Sequence, residues 1–598
     1  MASPQSSNKY LSAALQLREN PGQWAAYEST GNCCVLAGPG SGKTKTLVTK
    51  LARVMAEDVQ SPRGVACITF SNEAARELIR RLRQLGLEQS PRMFVGTVHS
   101  FCLLHLLLPF AQLAGLELPY PLKVATEAES ENIYQEVVAR HGGIGRSVRK
   151  LDIDRHRRVN LDRDDIAWTQ NEEMAGLAEE YEEELRNRGL IDFEDIVHYG
   201  QRLVNENDWV LKVIRAKFPV LAVDEYQDLG AALHRIVCRL TFDAGVRLIA
   251  VGDVDQSVYG FTGANSELLE ELSKADDVEA IRLKINYRSG TGIIKVAQQA
   301  LGKDRNYESS QPERQATVQT HKCDNGLQHQ AEYAMEILVP AALAAKKGRQ
   351  LGDIAVLYRN RNVGDVAATE AVKANYPFVR IDSAAPYRKV PLTSWVEDCA
   401  IWCAGGWKDS SPPLHDLQGR WIAFHGGLSN KQARDEAARL THFLWKHRGD
   451  GMALDFVEAL RTKLLDELLA ARPELADQTA HVKGMHKALN GGVLAGTSMA
   501  QLGRRDGAPE QLNLLTLHSA KGTEYDVVII LGLDEGEFPS PRWADNTPEK
   551  MEEARRLFYV GITRARDEVH LLYCGFRLDK YQRVWRDGPS QFLNDLLS

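Results

Sequence analysis

Little in the sequence marks a secreted or membrane-bound chain. Nine cysteines, an odd number, are scattered over 598 residues; no disulfide framework organises such a chain, and a reducing compartment fits it. Cys399 and Cys403 stand on one side of an expected helix, but no second close pair accompanies them, so they read as two buried thiols rather than a metal site. No apolar run approaches the roughly 18 residues of a membrane span. The longest candidates are Leu103 to Phe110 and Val527 to Leu533. The opening residues MASPQSSNKY lack the charged start and apolar core of a signal peptide. There is no repeat of fixed period, no low-complexity tract and no excess of positive charge. With a net charge of −7, any nucleic-acid contact must come from a local basic surface. A cytoplasmic protein with no membrane partner is expected.

What is present is a soluble, globular composition, with 44% hydrophobic and 26% charged residues. The length suggests about four domains or subdomains. Apolar strands followed by helices recur in two zones, the pattern of two α/β units with mostly parallel sheets. The first zone holds Cys33 to Leu36, Val65 to Phe70, Phe94 to Thr97, Val220 to Glu225 and Arg247 to Gly252. The second holds Asp353 to Arg359, Asn513 to Leu517, Val527 to Leu533 and Val569 to Cys574. Each zone is interrupted by a charged, helix-like stretch, from about Leu116 to Asn187 and from about Asp382 to Arg505.

The ligand class is fixed by Ala37-Gly38-Pro39-Gly40-Ser41-Gly42-Lys43-Thr44, which lies between a short apolar strand and a helical run from Lys43 to Met55. Backbone N–H groups of such a loop cradle phosphates at a helix N-terminus; Lys43 reaches the terminal phosphates, and the Thr44 hydroxyl can ligate Mg²⁺. Ala37 stands where the usual pattern has its first glycine. The strand Val220 to Val223 runs into two carboxylates. Asp224 would complete the Mg²⁺ shell and Glu225 would orient or deprotonate the attacking water.

Further motifs follow in order: Tyr226-Gln227-Asp228, VGDVDQSVYGFTGA from Val251 to Ala264, INYRS from Ile285 to Ser289, TLHSAKGTEYD from Thr516 to Asp526 and VGITRA from Val560 to Ala565. With them the chain resembles the superfamily 1A helicases of the UvrD/Rep/PcrA type from Gln23 to about Asp567, most weakly between Asp382 and Arg505. The resemblance implies an α/β fold of two RecA-like P-loop NTPase domains with parallel sheets, each carrying a mainly helical insertion. Residues 1–115 and 188–281 would form the first, with 116–187 as its insertion; 282–381 and 506–598 would form the second, with 382–505 inserted.

The same resemblance implies ATP and Mg²⁺ as cofactors. Gln23 would hold the adenine edge, Tyr287 would stack on the ring and Glu524 would accept from the ribose. Gln256 would couple the γ-phosphate to DNA, while Arg288 and Arg564 would converge on that phosphate from the second unit. Phe70, His99, Phe193, Tyr259, Phe261, Tyr358, Arg359 and His518 would face single-stranded DNA, where base stacking is sequence-tolerant. Two departures bear on coupling: Phe261 replaces the family's tryptophan and Thr262 its arginine. The densest basic run is Arg146, Arg149, Lys150, Arg155, Arg157 and Arg158. It would either touch duplex phosphates ahead of a junction or form a solvated face with Asp152, Asp154, Asp162, Asp164 and Asp165.

Two functions remain open at this stage. One is an ATP-dependent 3′→5′ helicase and translocase acting on single-stranded DNA and its junctions with duplex, in repair or genome maintenance. The other is a DNA-stimulated ATPase subunit with little unwinding of its own that works with a separately encoded nuclease or repair partner, as in anti-phage defence. Thr262, a short second insertion and the short tail after Arg564 favour the latter. A P-loop kinase or GTPase would not need the distant Arg288 and Arg564.

Overall fold

The computed structural model describes residues 4–87, 90–141, 148–163, 165–382, 387, 390–426, 428–472, 475–492, 494–503, 509–539, 547–578 and 583–597. Two six-stranded sheets dominate it, and every strand pair in both is parallel. The first is built from β1 (Asn32–Ala37), β2 (Val65–Thr69), β3 (Met93–Thr97), β4 (Val220–Val223), β5 (Arg247–Gly252) and β6 (Val278–Leu283), in the order β3-β2-β4-β5-β1-β6. Its central strands are continuous apolar runs; VACIT in β2 and VLAV in β4 are buried throughout, because helices cover both faces. Since β4, β5 and β1 are neighbours, their carboxyl ends bring together the loop after Ala37, the Asp224-Glu225 pair and the Asp253–Gln256 turn.

A two-residue parallel ribbon, β7 (Ile285–Asn286) with β8 (Glu308–Ser309), links the sheets. The second sheet comprises β9 (Thr317–Lys322), β10 (Ile354–Tyr358), β11 (Phe378–Ile381), β12 (Leu512–Thr516), β13 (Tyr525–Ile530) and β14 (Ala565–Tyr573), ordered β11-β12-β10-β13-β14-β9. Arg359 and His518 follow the carboxyl ends of β10 and β12. Glu524 and Arg564 stand at the opposite end, just before β13 and β14.

Every strand expected from an apolar run is present. The sequence did not reveal β6, β9 and β11, and all three lie at or beside a sheet edge with polar, part-exposed residues. An edge strand buries fewer side chains, so it carries no continuous apolar signal.

Between β3 and β4, the helices Glu127–Arg140, Lys150–Val159 and Glu172–Asn187 close around Tyr134, Ile153, Trp168 and Tyr181. Between β11 and β12, a second helical group packs around Trp395 and Trp421, whose rings stack at 5.2 Å. Cys399 and Cys403 are buried there as free thiols, and burial raises both pKa values. This group leans on the helix Asn72–Gln84 of the first unit, through a 2.7 Å hydrogen bond from Arg76 to the Ser394 hydroxyl and an ion pair of Arg83 with Asp416. No described helix is long and apolar enough to cross a membrane.

One member of the basic run departs from both of its readings, while the exposed Arg149–Asp152 pair is of the solvated kind. Arg157 is buried in a nest of carboxylates, bonding Glu182, Asp192 and Asp195 at 2.7 Å each. Lys150 pairs with Asp154, Arg149 with Asp152 and Arg158 with Glu194. A buried guanidinium needs this satisfaction, and the acids interleaved in the sequence supply it together with those of the following helices. Arg146 and Asp164 lie outside the described residues.

Candidate active site

The phosphate-type loop is shaped by three glycines for two reasons. Gly40 and Gly42 adopt φ of 68° and 80°, which L side chains rarely take. Gly38 is needed for space: a Cβ there would lie 2.5 Å from the ring of Tyr307. Gly38→Ala should therefore destabilise the fold by about 1–3 kcal/mol, and adding Tyr307→Ala should restore part of the loss. Urea unfolding checks both; an unchanged midpoint in Gly38→Ala would remove the packing claim.

Asn20 caps the helix Pro21–Glu28, accepting from the amides of Gly22 and Gln23 at 3.0 and 3.2 Å. That places Gln23 against the loop, where its amide donates to the Ser41 carbonyl at 2.8 Å. Asn20 also donates to the hydroxyl of Tyr287, which is 45% exposed. The INYRS segment is stitched to the same loop: the Asn286 amide donates to the Pro39 carbonyl at 2.9 Å and the Tyr287 N–H to the Gly40 carbonyl at 2.8 Å.

Helix Lys43–Arg53 starts on Lys43, whose ammonium stands 3.7 Å from Glu225. Glu225 has φ of 51°, a left-handed conformation costly for a non-glycine residue and typical of a functional turn. Burial lifts the Asp224 carboxyl to about 7, and the charge on Glu225 adds to the lift. Burial opposes ionisation of Glu225 too, but Lys43 and Lys521 outweigh it and hold that carboxyl at about 2. Asp224 Oδ1 is buried and accepts no hydrogen bond among the described residues. A cation beside Asp224 would satisfy that oxygen and permit its ionisation, and Asp224 and Thr44 are the residues that would hold Mg²⁺ there. Among the described residues no cluster of three or more His, Cys, Asp or Glu could hold a metal.

The two units meet over this loop. The Gln256 side-chain oxygen Oε1 accepts from Arg564 Nη2 at 3.2 Å, and its side-chain amide donates to Asp253. Arg564 is fully buried; burial and the neighbouring Arg288 push its pKa down to about 9. Arg288 donates to the Thr563 carbonyl at 3.0 Å and pairs with Glu524 at 2.9 Å. Glu524 also pairs with Arg566.

Across the opposite face runs a row of rings. Phe70 stacks on Tyr259 at 5.4 Å, and Tyr259 faces His518 of the second unit at 6.5 Å. His99 meets Phe193 edge-on at 5.6 Å, and Phe193 is 54% exposed. Arg359 and His518 border a cavity of about 1850 Å³ between the units.

Residues 19–277 match the UvrD/REP helicase N-terminal domain and residues 433–575 the UvrD-like helicase C-terminal domain. The chain belongs to the UvrD/Rep/PcrA family of superfamily 1A helicases. It is similar to the ATP-dependent DNA helicase Rep of Salmonella typhimurium, with 27% identity covering 97% of this chain and 94% of that protein. It is also similar to the ATP-dependent DNA helicase PcrA of Staphylococcus aureus, with 24% identity covering 98% and 87%. The Rep helicase of Escherichia coli is 26% identical over 97% of this chain and 94% of its own. The two parallel sheets are the RecA-like pair of this family.

One residue departs from the helicase expectation. Tyr358 is not a surface ring; it is fully buried in the second sheet and donates to Asp382 at 2.8 Å, because β10 is a central strand with both faces covered. The Phe261 side chain lies outside the described residues. At Thr262 the expected cation is absent from the loop, but Arg158 reaches across from the first helical group and donates to the Thr262 carbonyl at 2.8 Å.

Sequence reasoning passed over Lys521, Asn286, Asn20 and Tyr307. Lys521 pairs with Asp228 and donates to the Gln256 carbonyl at 2.7 Å, tying the second unit to two loops of the first. Its signal lay inside TLHSAKGTEYD, and that of Asn286 inside INYRS. Tyr307 has no motif; only packing reveals it.

Proposed function

We propose that this helicase-family protein is an ATP-hydrolysing DNA translocase and helicase that moves 3′→5′ on single-stranded DNA, in repair or genome maintenance. The observation that carries this reading is the contact of Arg564 with Gln256 over the loop held by Lys43 and Glu225. ATP would sit between the units, so its hydrolysis would alter how they pack.

In this scheme the loop from Ala37 to Thr44 holds the phosphates, Gln23 and Tyr287 flank the base, and Glu524 takes the ribose by turning from its arginine partners. Glu225 accepts the proton of the attacking water; Arg288 and Arg564 neutralise charge developing on the γ-phosphate. Bound Mg²⁺ supplies charge neutralisation at the phosphates. Phe70, Tyr259, His518, His99 and Phe193 stack bases, and Arg359 takes phosphate. The division into two ATPase domains and two insertions at 115/116, 187/188, 281/282, 381/382 and 505/506 is part of the same proposal, as is a cytoplasmic location.

The test is strand displacement on duplexes with a single-stranded 3′ tail or 5′ tail. Displacement of the 3′-tailed duplex alone is expected. ATPase stimulation by DNA without displacement of either would replace this reading with a second one, suggested by Thr262: a motor subunit acting with a separately encoded nuclease.

A further inference from the structure

Residues Asp304–Ser309 form a strap that touches both nucleotide loops at once. Arg305 forks onto Asp255 with two hydrogen bonds of 2.8 Å, and Asp255 is only 4% exposed. Tyr307 lies over Gly38 of the phosphate loop. The strap is built to hold these two side chains apart in a fixed way. Asn306 between them takes φ of 54°, and the Gln298 side-chain oxygen Oε1 accepts from the backbone N–H groups of Arg305 and Tyr307 at 2.9 and 3.2 Å. Beyond Tyr307, β8 pairs with β7 in the register Ile285↔Glu308 and Asn286↔Ser309, next to the residues that bind the Pro39 and Gly40 carbonyls.

From Arg305 a chain of contacts leads to the centre of the site. The Asp255 amide donates to Asp253 at 3.1 Å, Asp253 accepts from the Gln256 amide, and Gln256 accepts from Arg564 at 3.2 Å. We propose that Arg305 is a positioning residue for hydrolysis: through Asp255 it sets the turn Asp253–Gln256, and with it the orientation in which Gln256 meets Arg564. A fork onto a carboxylate fixes direction as well as distance, and this one is largely shielded from water on the acid's side. No atom of Arg305 needs to touch nucleotide.

This inference rests on the ATPase reading above. The experiment compares the wild-type chain with Arg305→Ala, Arg305→Lys and Asp255→Asn, measuring ATP hydrolysis with a single-stranded oligonucleotide, affinity for a fluorescent ATP analogue, and melting. Misplacement of a catalytic group by ~1 Å costs up to about 10²-fold. Arg305→Ala and Asp255→Asn should therefore lose about 10- to 100-fold in kcat with nucleotide affinity unchanged. Arg305→Lys should recover part of the loss, because a point charge attracts the carboxylate without the fork. Asp255→Asn keeps the side chain's shape, so it carries the test if Arg305→Ala melts early. Wild-type kcat in folded Asp255→Asn overturns the proposal, as does loss of affinity equal to the loss of kcat, or unfolding of both variants, since each makes the pair merely structural. A wild-type chain that hydrolyses no ATP overturns the function itself; an active wild type with indifferent variants overturns only the strap.

Discussion

Glu225→Gln is expected to lower kcat for DNA-stimulated ATP hydrolysis by about 10²–10⁴-fold, the usual worth of a general base, while ATP still binds. The argument is electrostatic. Lys43 and Lys521 hold the Glu225 carboxyl well below the usual carboxylate range against the cost of desolvation. Gln keeps the shape of the turn and accepts from neighbours, but it takes no proton. The phosphate contacts of the glycine loop and Lys43 are untouched by the change, so nucleotide binding should survive. Lys43→Ala differs in kind, since it removes a phosphate contact and should weaken binding together with turnover. Equilibrium binding of a fluorescent nucleotide alongside steady-state hydrolysis separates the two. Full turnover in Glu225→Gln would sink its assignment as base.

The second large effect is expected at Arg564. A guanidinium that stabilises a transferring phosphoryl group is worth about 10³–10⁵ in rate, and Arg564→Ala should lose an amount in that range in single-turnover hydrolysis. Because the residue is buried and also donates to the Val560 carbonyl at 3.0 Å, alanine leaves unpaired acceptors and some stability is lost as well. Arg564→Lys separates these effects: it preserves a cation in the cavity but not the planar fork, so it should stay folded and remain slow. Arg288→Ala should cost less, since Arg288 is already committed to Glu524 and the Thr563 carbonyl. A rate for Arg564→Lys equal to wild type would remove Arg564 from the transition state.

Much of this site is legible in sequence because each half of it is local. The glycine loop, the Val220–Val223 strand with its acids, and the Arg564 motif each announce themselves within a dozen residues, and neighbouring parallel strands gather them. What was hidden depends on pairing between distant residues. Arg157 reads as one of a row of surface cations until Glu182, Asp192 and Asp195 fold over it. Tyr358 reads as a ring at the end of a motif strand, although central placement buries it. Tyr307 and Arg305 lie in a segment with no motif, and their meaning comes from Gly38 and Asp255, far away in sequence. Edge strands β6, β9 and β11 were silent because half-wet strands need not be apolar.

The placement of Lys521 has a mechanical consequence. It stands three residues beyond His518, lies 5.1 Å from the ring centre of Tyr259, and pairs with Asp228 beside the nucleotide loops. One ammonium group thus belongs to the seam of the ring row and to the seam of the ATP cleft. In the proposed motor, parting the units along that line would strain the Lys521 contacts at both seams together. On the proposed function, the clutch and the drive would share a single charged pin.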